Sequence, residues 1–583
     1  MLKNFKLFIL YIGITSLLLS ISRCSEFDYI HSPLLIQDIN FLHTTDTHTW
    51  LKNKFGIDWG NYNTFLKNFR EKITPEKDLI VIDTGDKIDG NGLGDATTPK
   101  GLMSYDIFNM NMDQMDLLTI GNHELYTSSS SYIEYYTAAK DNVKYVSSNV
   151  EFFDKKSNDW VPFGNKYRYF ETANGKKVLA LSFLFDFQRY NEFARVTSIE
   201  KEIEKDWIQK DLFSEFNDDN IDLLLIFGHL PIQHGQNQEL LSLHEFLRQH
   251  FKTSIIQYFG GHSHIRDFIS IDDKATALQS GRFCETVGFL SLNLSENPNF
   301  FRKYLDFNKE SFDYHLNSVE ANPIDWSKKN EISQKIDNIF EILQLGEVKG
   351  YIPETYYMNN KPLSSRNNLF NLITNKILPR MEKPVGRENV KRMITVNTGL
   401  IRFDLLEGSF TENTKYQISP YDNKWRAISI PYHFARNIKD YLNSQSSILS
   451  LSALHPVAEK HLNIETFEQD TFNMRTLSPE EKSRNKQYNL PLGPVTCDDF
   501  GCDGEDTLHK PLNYFRMPNV VQYSDVIISE TEEVDFVYLD FFELEVFRAL
   551  ETMNYEGALN SRAYISRGVV PLLQEYFGVS KEI

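Results

Sequence analysis

Four stretches of this chain share one pattern: a short run of large apolar residues that stops at glycine beside polar side chains. They are 79-LIVIDTGD-86, 117-LLTIGNHE-124, 222-DLLLIFGH-229 and 255-IIQYFGGH-262. Runs this apolar, without polar alternation, suit strands buried on both faces. Stretches of helical character at 198–212 and 238–250 lie among them. The fold expected for residues 38–324 is therefore an α/β layered domain. Function in open α/β sheets gathers at the carboxyl ends of strands, and here the polar residues sit at those ends.

A chain of 583 residues is long enough for more than one core. Residues 325–348 turn helical and charged, and 349–365 are rich in Gly, Pro, Tyr and Asn. The span 325–365 is expected to be a linker or hinge. A second domain, 366–583, follows with its own strands and turns (393-MITVNTGLIRFDLL-406) and helices near 366–378, 433–443 and 540–551.

The N-terminus reads as a targeting segment, residues 1–24. Lys3 and Lys6 precede an apolar stretch from Leu7 to Ile21, and Ser20, Ser22 and Cys24 offer cleavage points. An uncleaved signal anchor is the alternative, although the stretch is short for a span. No later segment is apolar enough to cross a bilayer, so no membrane span is expected after cleavage. The expected location is the secretory pathway, ending in a vacuole or at the cell surface and beyond. Cys497 and Cys502 bracket 497-CDDFGC-502. In an oxidising compartment they are expected to pair; free thiols or soft metal ligands are the alternatives. Cys284 lies in an apolar stretch and reads as a core residue. The formal net charge of −19 argues against a nucleic-acid polymer as partner. It leaves room for a small anionic substrate, because bound metals can dominate the local charge.

The strand-end residues, taken in order, form a set: 46-DTH-48 after 39-INFLHTT-45, then 85-GD-86, 121-GNHE-124, 228-GH-229 and 262-HSH-264. If 262–264 is extended, His262 and His264 point the same way and serve one place. Histidines, carboxylates and one amide suit divalent metals such as Zn, Mn, Fe, Co or Mg. Two such ions about 3.5–4 Å apart can clamp an in-line displacement at phosphorus and generate hydroxide near neutral pH. His43 reads as a strand residue and Glu124 as structural. His244 and His250 are expected at the surface, and His234 either supports the site or does not.

These motifs resemble the calcineurin-like metallophosphoesterases, and among them the 5′-nucleotidase type with an extra C-terminal domain. The resemblance implies a four-layer α/β/β/α sandwich followed by a smaller α+β domain. It implies two divalent metal ions. Asp46, His48, Asp86 and His264 would hold one; Asp86, Asn122, His229 and His262 would hold the other, with Asp86 as the bridge. His123 would stabilise the transition state or the leaving group. One departure stands out. Many 5′-nucleotidases place an Asp three residues after that histidine, and this chain has Tyr126, which would orient His123 less firmly. In the second domain, 397-NTGLIR-402 is similar to a family stretch whose arginine meets substrate, with Leu400 where glycine is usual. Asn397 and Arg402 are the implied contacts. The stretch 420-PYDN-423 implies Tyr421 as a base-stacking ring and Asn423 beside it. Tyr514 and Phe515 are candidates for a second ring, with a place in the core as the alternative. Residues 493–511 resemble fungal secretory-pathway relatives. The implied activity is release of phosphate from nucleoside 5′-monophosphates. Hydrolysis of another phosphoester, or metal binding without catalysis on the same fold, are the alternatives. The oligomeric state stays open.

Overall fold

The computed structural model describes residues 33–52, 56–445, 515–527 and 529–578. The signal segment 1–24, Cys497, Cys502 and Tyr514 lie outside the described residues.

The first domain is built on two sheets. One has the strand order Phe300–Asp306, Thr286–Leu292, Ile39–Thr44, Asp78–Asp83, Leu117–Leu118. The other runs Arg266–Asp272, Ala275–Ser280, Ile255–Gly260, Leu223–Phe227, Lys177–Ser182, Tyr167–Glu171. The strands that carry the glycine-polar ends pair in parallel within each sheet. Successive strand residues face opposite ways, and the apolar runs use both faces. Phe41, Ile80, Ile82, Leu225 and Phe227 meet between the sheets. Leu42, Val81 and Phe289 face outward under the helix Trp59–Ile73, which brings Trp59, Tyr62, Phe65, Leu66 and Phe69. Leu224, Ile226 and Ile256 face the other way, under Leu240, Leu243 and Leu247 of the helix Gln238–His250. The result is the helix-sheet-sheet-helix sandwich.

The stretch 325–365, expected to be a linker, is largely packed structure. Asn330 caps the helix Glu331–Ile342. Ile332, Ile336 and Ile339 recur at helical spacing and enter the core beneath Trp59–Ile73. Ser333 Oγ donates to Asp58 at 2.7 Å. The charges that suggested a linker line the solvent face of this helix. Leu345 still belongs to the first core, and the strand Val348–Ile352 already pairs with Gly408–Thr411 of the second domain.

The second domain holds a five-stranded sheet, in the order Val520–Ser524, Arg392–Asn397, Glu533–Leu539, Trp425–Pro431, Arg562–Ala563. Helices Tyr432–Ser444, Glu543–Thr552 and Val569–Phe577 bury Ile438, Leu442, Val546, Leu550, Leu572 and Leu573 in the core of this domain. No helix among the described residues is long and apolar enough to cross a membrane.

Two histidine expectations change. His244 is buried; its ring nitrogens meet the Tyr258 hydroxyl and Asp272, each at 3.0 Å. His250 stacks on Phe213 at 4.0 Å and bonds the Phe216 carbonyl at 2.8 Å. Neither sits freely at the surface, because both lie on the sides of their helix that meet the domain. His234 is exposed and takes no part in the site. His43 is a buried strand residue between Ser280 and Thr84, and Cys284 is buried in the first core.

Candidate metal centre

Asp46 and His48 follow the strand Ile39–Thr44, and Asp86 follows Asp78–Asp83. Asn122 and His123 follow Leu117–Leu118, His229 follows Leu223–Phe227, and His262 and His264 follow Ile255–Gly260. The two sheets thus deliver their carboxyl ends to one place. The backbone there is held away from ordinary conformations. Asp46, His48, Asp86, Asp89, His262 and His264 all have φ between 44° and 76°. Such left-handed residues cost about 1–3 kcal/mol each and persist where the surroundings fix them. His262 and His264 therefore lie in a left-handed turn, not in the extended segment that their spacing suggests. Two glycines let the loops touch. A Cβ on Gly85 would stand 2.3 Å from the Gly121 nitrogen, and one on Gly121 would stand 2.1 Å from Asp86 Oδ1.

Two overlapping donor groups form there. Asp46, His48, Asp86 and His264 have ligand atoms within 4.8 Å of one another, and so do Asp86, His229 and His262. Asp86 is common to both. His48 Nδ1–H donates to the Ile88 carbonyl at 2.6 Å, and His229 Nδ1–H to the Thr84 carbonyl at 2.9 Å. A carbonyl only accepts, so each Nδ1 carries a proton and each Nε2 faces the centre, where it can ligate a metal once it holds no proton. His48 Nε2 lies 3.0 Å from His264 Nε2, and His264 Nε2 lies 3.2 Å from Asp46 Oδ1. Asp46 Oδ1, Asn122 Oδ1 and His264 Nδ1 are buried and make no hydrogen bond. Buried polar atoms without partners are costly, and a divalent cation would satisfy most of this set.

The electrostatics agree. Burial keeps His48 and His264 well below the usual histidine range, with the Arg402 guanidinium adding to it. Burial, with His229 beside it, takes His262 down to about 3. Neutral imidazole is the form that ligates metal. His229 goes the other way, to about 10: burial opposes its charge, but Asp86 at 2.9 Å, Asp46 and the Thr84 carbonyl together outweigh it. Burial also works to raise Asp86, and the His229 and His123 rings overcome it, holding the carboxyl well below its usual range. The pair marks a position where positive charge is favoured. These residues fit divalent metal ions.

His123 stands beside the donors. Its Nε2 lies 3.8 Å from Asp86 Oδ2, and its Nδ1 lies 2.9 Å from Asp89 Oδ2. The sequence missed Asp89. The loss of a carboxylate at position 126 is thus offset by one at position 89, within 85-GDKIDG-90. Tyr126 instead packs edge-on against His123 at 4.9 Å, and its hydroxyl accepts from Asn122 Nδ2 at 3.3 Å. Glu124 has a scaffolding place, accepting from the backbone N–H of Asp86, Lys87 and Gly121.

The second domain reaches the same centre. Arg402 follows the turn Thr398–Leu400, is buried, and puts its Nη2 3.1 Å from His48 Nε2 and 3.5 Å from His123 Nε2. Tyr421 lies in electrostatic range of Arg402 and Tyr126, and burial pushes its phenol up, so it stays neutral. Asn397 is buried with an unbonded amide oxygen. Asn423 is half-buried, and the structure gives it no contact with the metal donors. Phe515 packs against the core of the second domain.

Residues 39–266 match the family model of calcineurin-like phosphoesterases, and residues 355–547 match that of the NAD nucleotidase C-terminal domain. An uncharacterised protein of Saccharomyces cerevisiae is 44% identical over 545 residues, 89% of this chain and 88% of that protein. A protein of Arthroderma benhamiae named "Secreted protein" is 32% identical over 93% of this chain and 90% of its own length. The crystal structure of 5′-nucleotidase from Candida albicans is 37% identical, with a TM-score of 0.82 over 94% of this chain and 100% of that one. With both halves matched in tandem and the metal donors converging where the first half places them, the chain belongs to the calcineurin-like phosphoesterases, in the branch with a nucleotidase-type C-terminal domain.

Proposed function

We propose that the protein hydrolyses nucleoside 5′-monophosphates to nucleoside and phosphate, with two divalent ions bound. One observation carries this reading: Arg402, from the second domain, enters the metal centre of the first and stands within 3.5 Å of both His48 and His123. A guanidinium in that position suits phosphate oxygens. Asp46, His48, Asp86 and His264 would hold one ion, and Asp86, Asn122, His229 and His262 the other. The ions would supply a nucleophile from water near neutral pH and offset phosphoryl charge.

The protein's own groups do the rest. Arg402 orients the phosphate for attack. As the water oxygen bonds to phosphorus and the bond to O5′ breaks, His123 Nε2 hands a proton to the departing O5′. Asp89 holds Nδ1 so that Nε2 stays aimed at that oxygen. Tyr421, on the second domain beside Arg402, offers a ring for the base, with Asn397 and Asn423 nearby in the chain. A second reading is a nucleotide diphosphate or related phosphoester, favoured by the match of residues 355–547 to a NAD nucleotidase C-terminal domain. The proposed setting is the secretory pathway, with delivery to a vacuole or the exterior.

The test is phosphate release by metal-stripped protein resupplied with Zn, Mn, Mg or Co. The substrates are AMP, GMP, UMP, ADP, cyclic AMP and an aryl phosphate, with Asp86→Asn as control. Monophosphates should lead, and the control should be inactive. Preference for ADP or cyclic AMP would overturn the monophosphate reading.

A further inference from the structure

Asp89 is held from both sides. Oδ2 meets His123 Nδ1 at 2.9 Å, and Oδ1 accepts from Lys100 Nζ at 2.5 Å. Lys100 Nζ also donates to the Pro420 carbonyl at 2.7 Å, and Pro420 belongs to the second domain, next to Tyr421. A continuous chain of contacts therefore runs His123, Asp89, Lys100, Pro420. The same loop meets the second domain once more. Gly92 N–H donates to Asn413 Oδ1 at 2.8 Å, on the helix Glu412–Ile418. Within the first domain, the Asp95 carboxylate accepts from the N–H groups of Asp89, Gly90 and Asn91 and fixes the left-handed turn.

We propose that Lys100 is a positioning residue that makes the His123–Asp89 pairing depend on how the second domain is seated. A carboxylate pinned at one oxygen can swing about its last torsion; one pinned at both cannot. Lys100 supplies the second pin, and its long stem is fixed by the Pro420 carbonyl. When that carbonyl moves away, Asp89 loses its hold and His123 its aim. Proton transfer to a poor leaving group is then efficient only while the second domain grips the substrate, which disfavours small phosphoesters that lack a nucleoside. The proposal rests on the reading of His123 as the proton donor.

The test compares Lys100→Met, Lys100→Arg, Asp89→Asn and the double variant Lys100→Met/Asp89→Asn on AMP and on 4-nitrophenyl phosphate, whose leaving group needs little protonation. Lys100→Met should lower kcat on AMP by about tenfold or more, but on the nitrophenyl ester by only about twofold. Lys100→Arg should recover most of the loss. The double variant should be no slower than Asp89→Asn, since residues acting through one another are not additive. A crystal structure of Lys100→Met should show Asp89 rotated off His123. Equal losses on both esters, additive losses in the double variant, or an unchanged Asp89–His123 contact in that crystal would overturn the proposal. If the wild type ignores AMP but cleaves another ester, the substrate reading falls and the comparison runs on that ester. If no ester is cleaved, the reading of His123 falls, and the crystal alone decides whether Lys100 positions Asp89.

Discussion

Arg402 and His123 face each other across the domain boundary, and their substitutions should separate binding from chemistry. Arg402→Lys keeps the charge but loses the planar fork. It should cost about 1.5–3 kcal/mol of transition-state binding, roughly a tenfold to hundredfold fall in kcat/KM on the preferred ester. Steady-state kinetics read this, and metal content by elemental analysis should not change. His123→Ala should instead lower kcat by about 10²- to 10⁴-fold, with KM affected least. His43 makes a different prediction. Burial takes its ring from 6.5 down to about 3. Between those values the unfolded chain binds a proton that the folded chain refuses. Stability should therefore fall as pH drops below about 6.5, by up to ~1.4 kcal/mol per pH unit. His43→Gln should flatten the slope by close to that amount, measured by urea unfolding from about pH 7 to 5. The residues proposed as metal donors stand out in the sequence because each follows a short apolar run, closed by glycine in every case but Asp46 and His48. Asp89 does not, because its role comes from a contact with His123, 34 positions away, rather than from local pattern.

At the scale of elements, the strand ends matter more than the strands. Gly85 and Gly121 let two loops pass at backbone contact. Gly121→Ala would drive a methyl into Asp86. It should cost about 1–3 kcal/mol in denaturant unfolding and also reduce metal retained after dialysis. A loss of stability without loss of metal would mean that the loop yields away from Asp86. The sandwich was legible because strands buried on both faces write continuous apolar runs. The helix Glu331–Ile342 was legible as a helix but not as part of the first core, because its single apolar stripe of Ile332, Ile336 and Ile339 is hidden among charges that face water. The turn at 262–264 was misread because alternation in sequence says nothing about a switch to positive φ.

At the scale of the molecule, the two domains close over the metal centre through aromatic as well as polar contacts. Phe403, next to Arg402, packs at 4.7 Å against Trp50 and at 5.8 Å against Phe283. Phe283 in turn packs at 5.5 Å against both His48 and His264. Aromatic pairs of this kind add about 0.5–1.5 kcal/mol beyond burial. Phe403→Ala should broaden the interdomain distance distribution in small-angle scattering and raise KM, with metal content retained. The sequence showed a second domain but not this seam, since packing between domains leaves no periodic mark.

The tautomers of His48 and His229 are set by main-chain carbonyls, those of Ile88 and Thr84. A side chain that orients a ligand can be lost to a single base change. A carbonyl cannot, because every amino acid carries one. The orientation of these two imidazoles is therefore protected from mutational drift at positions 88 and 84 for as long as the loops keep their path, and lineages can vary those side chains without disturbing the protons.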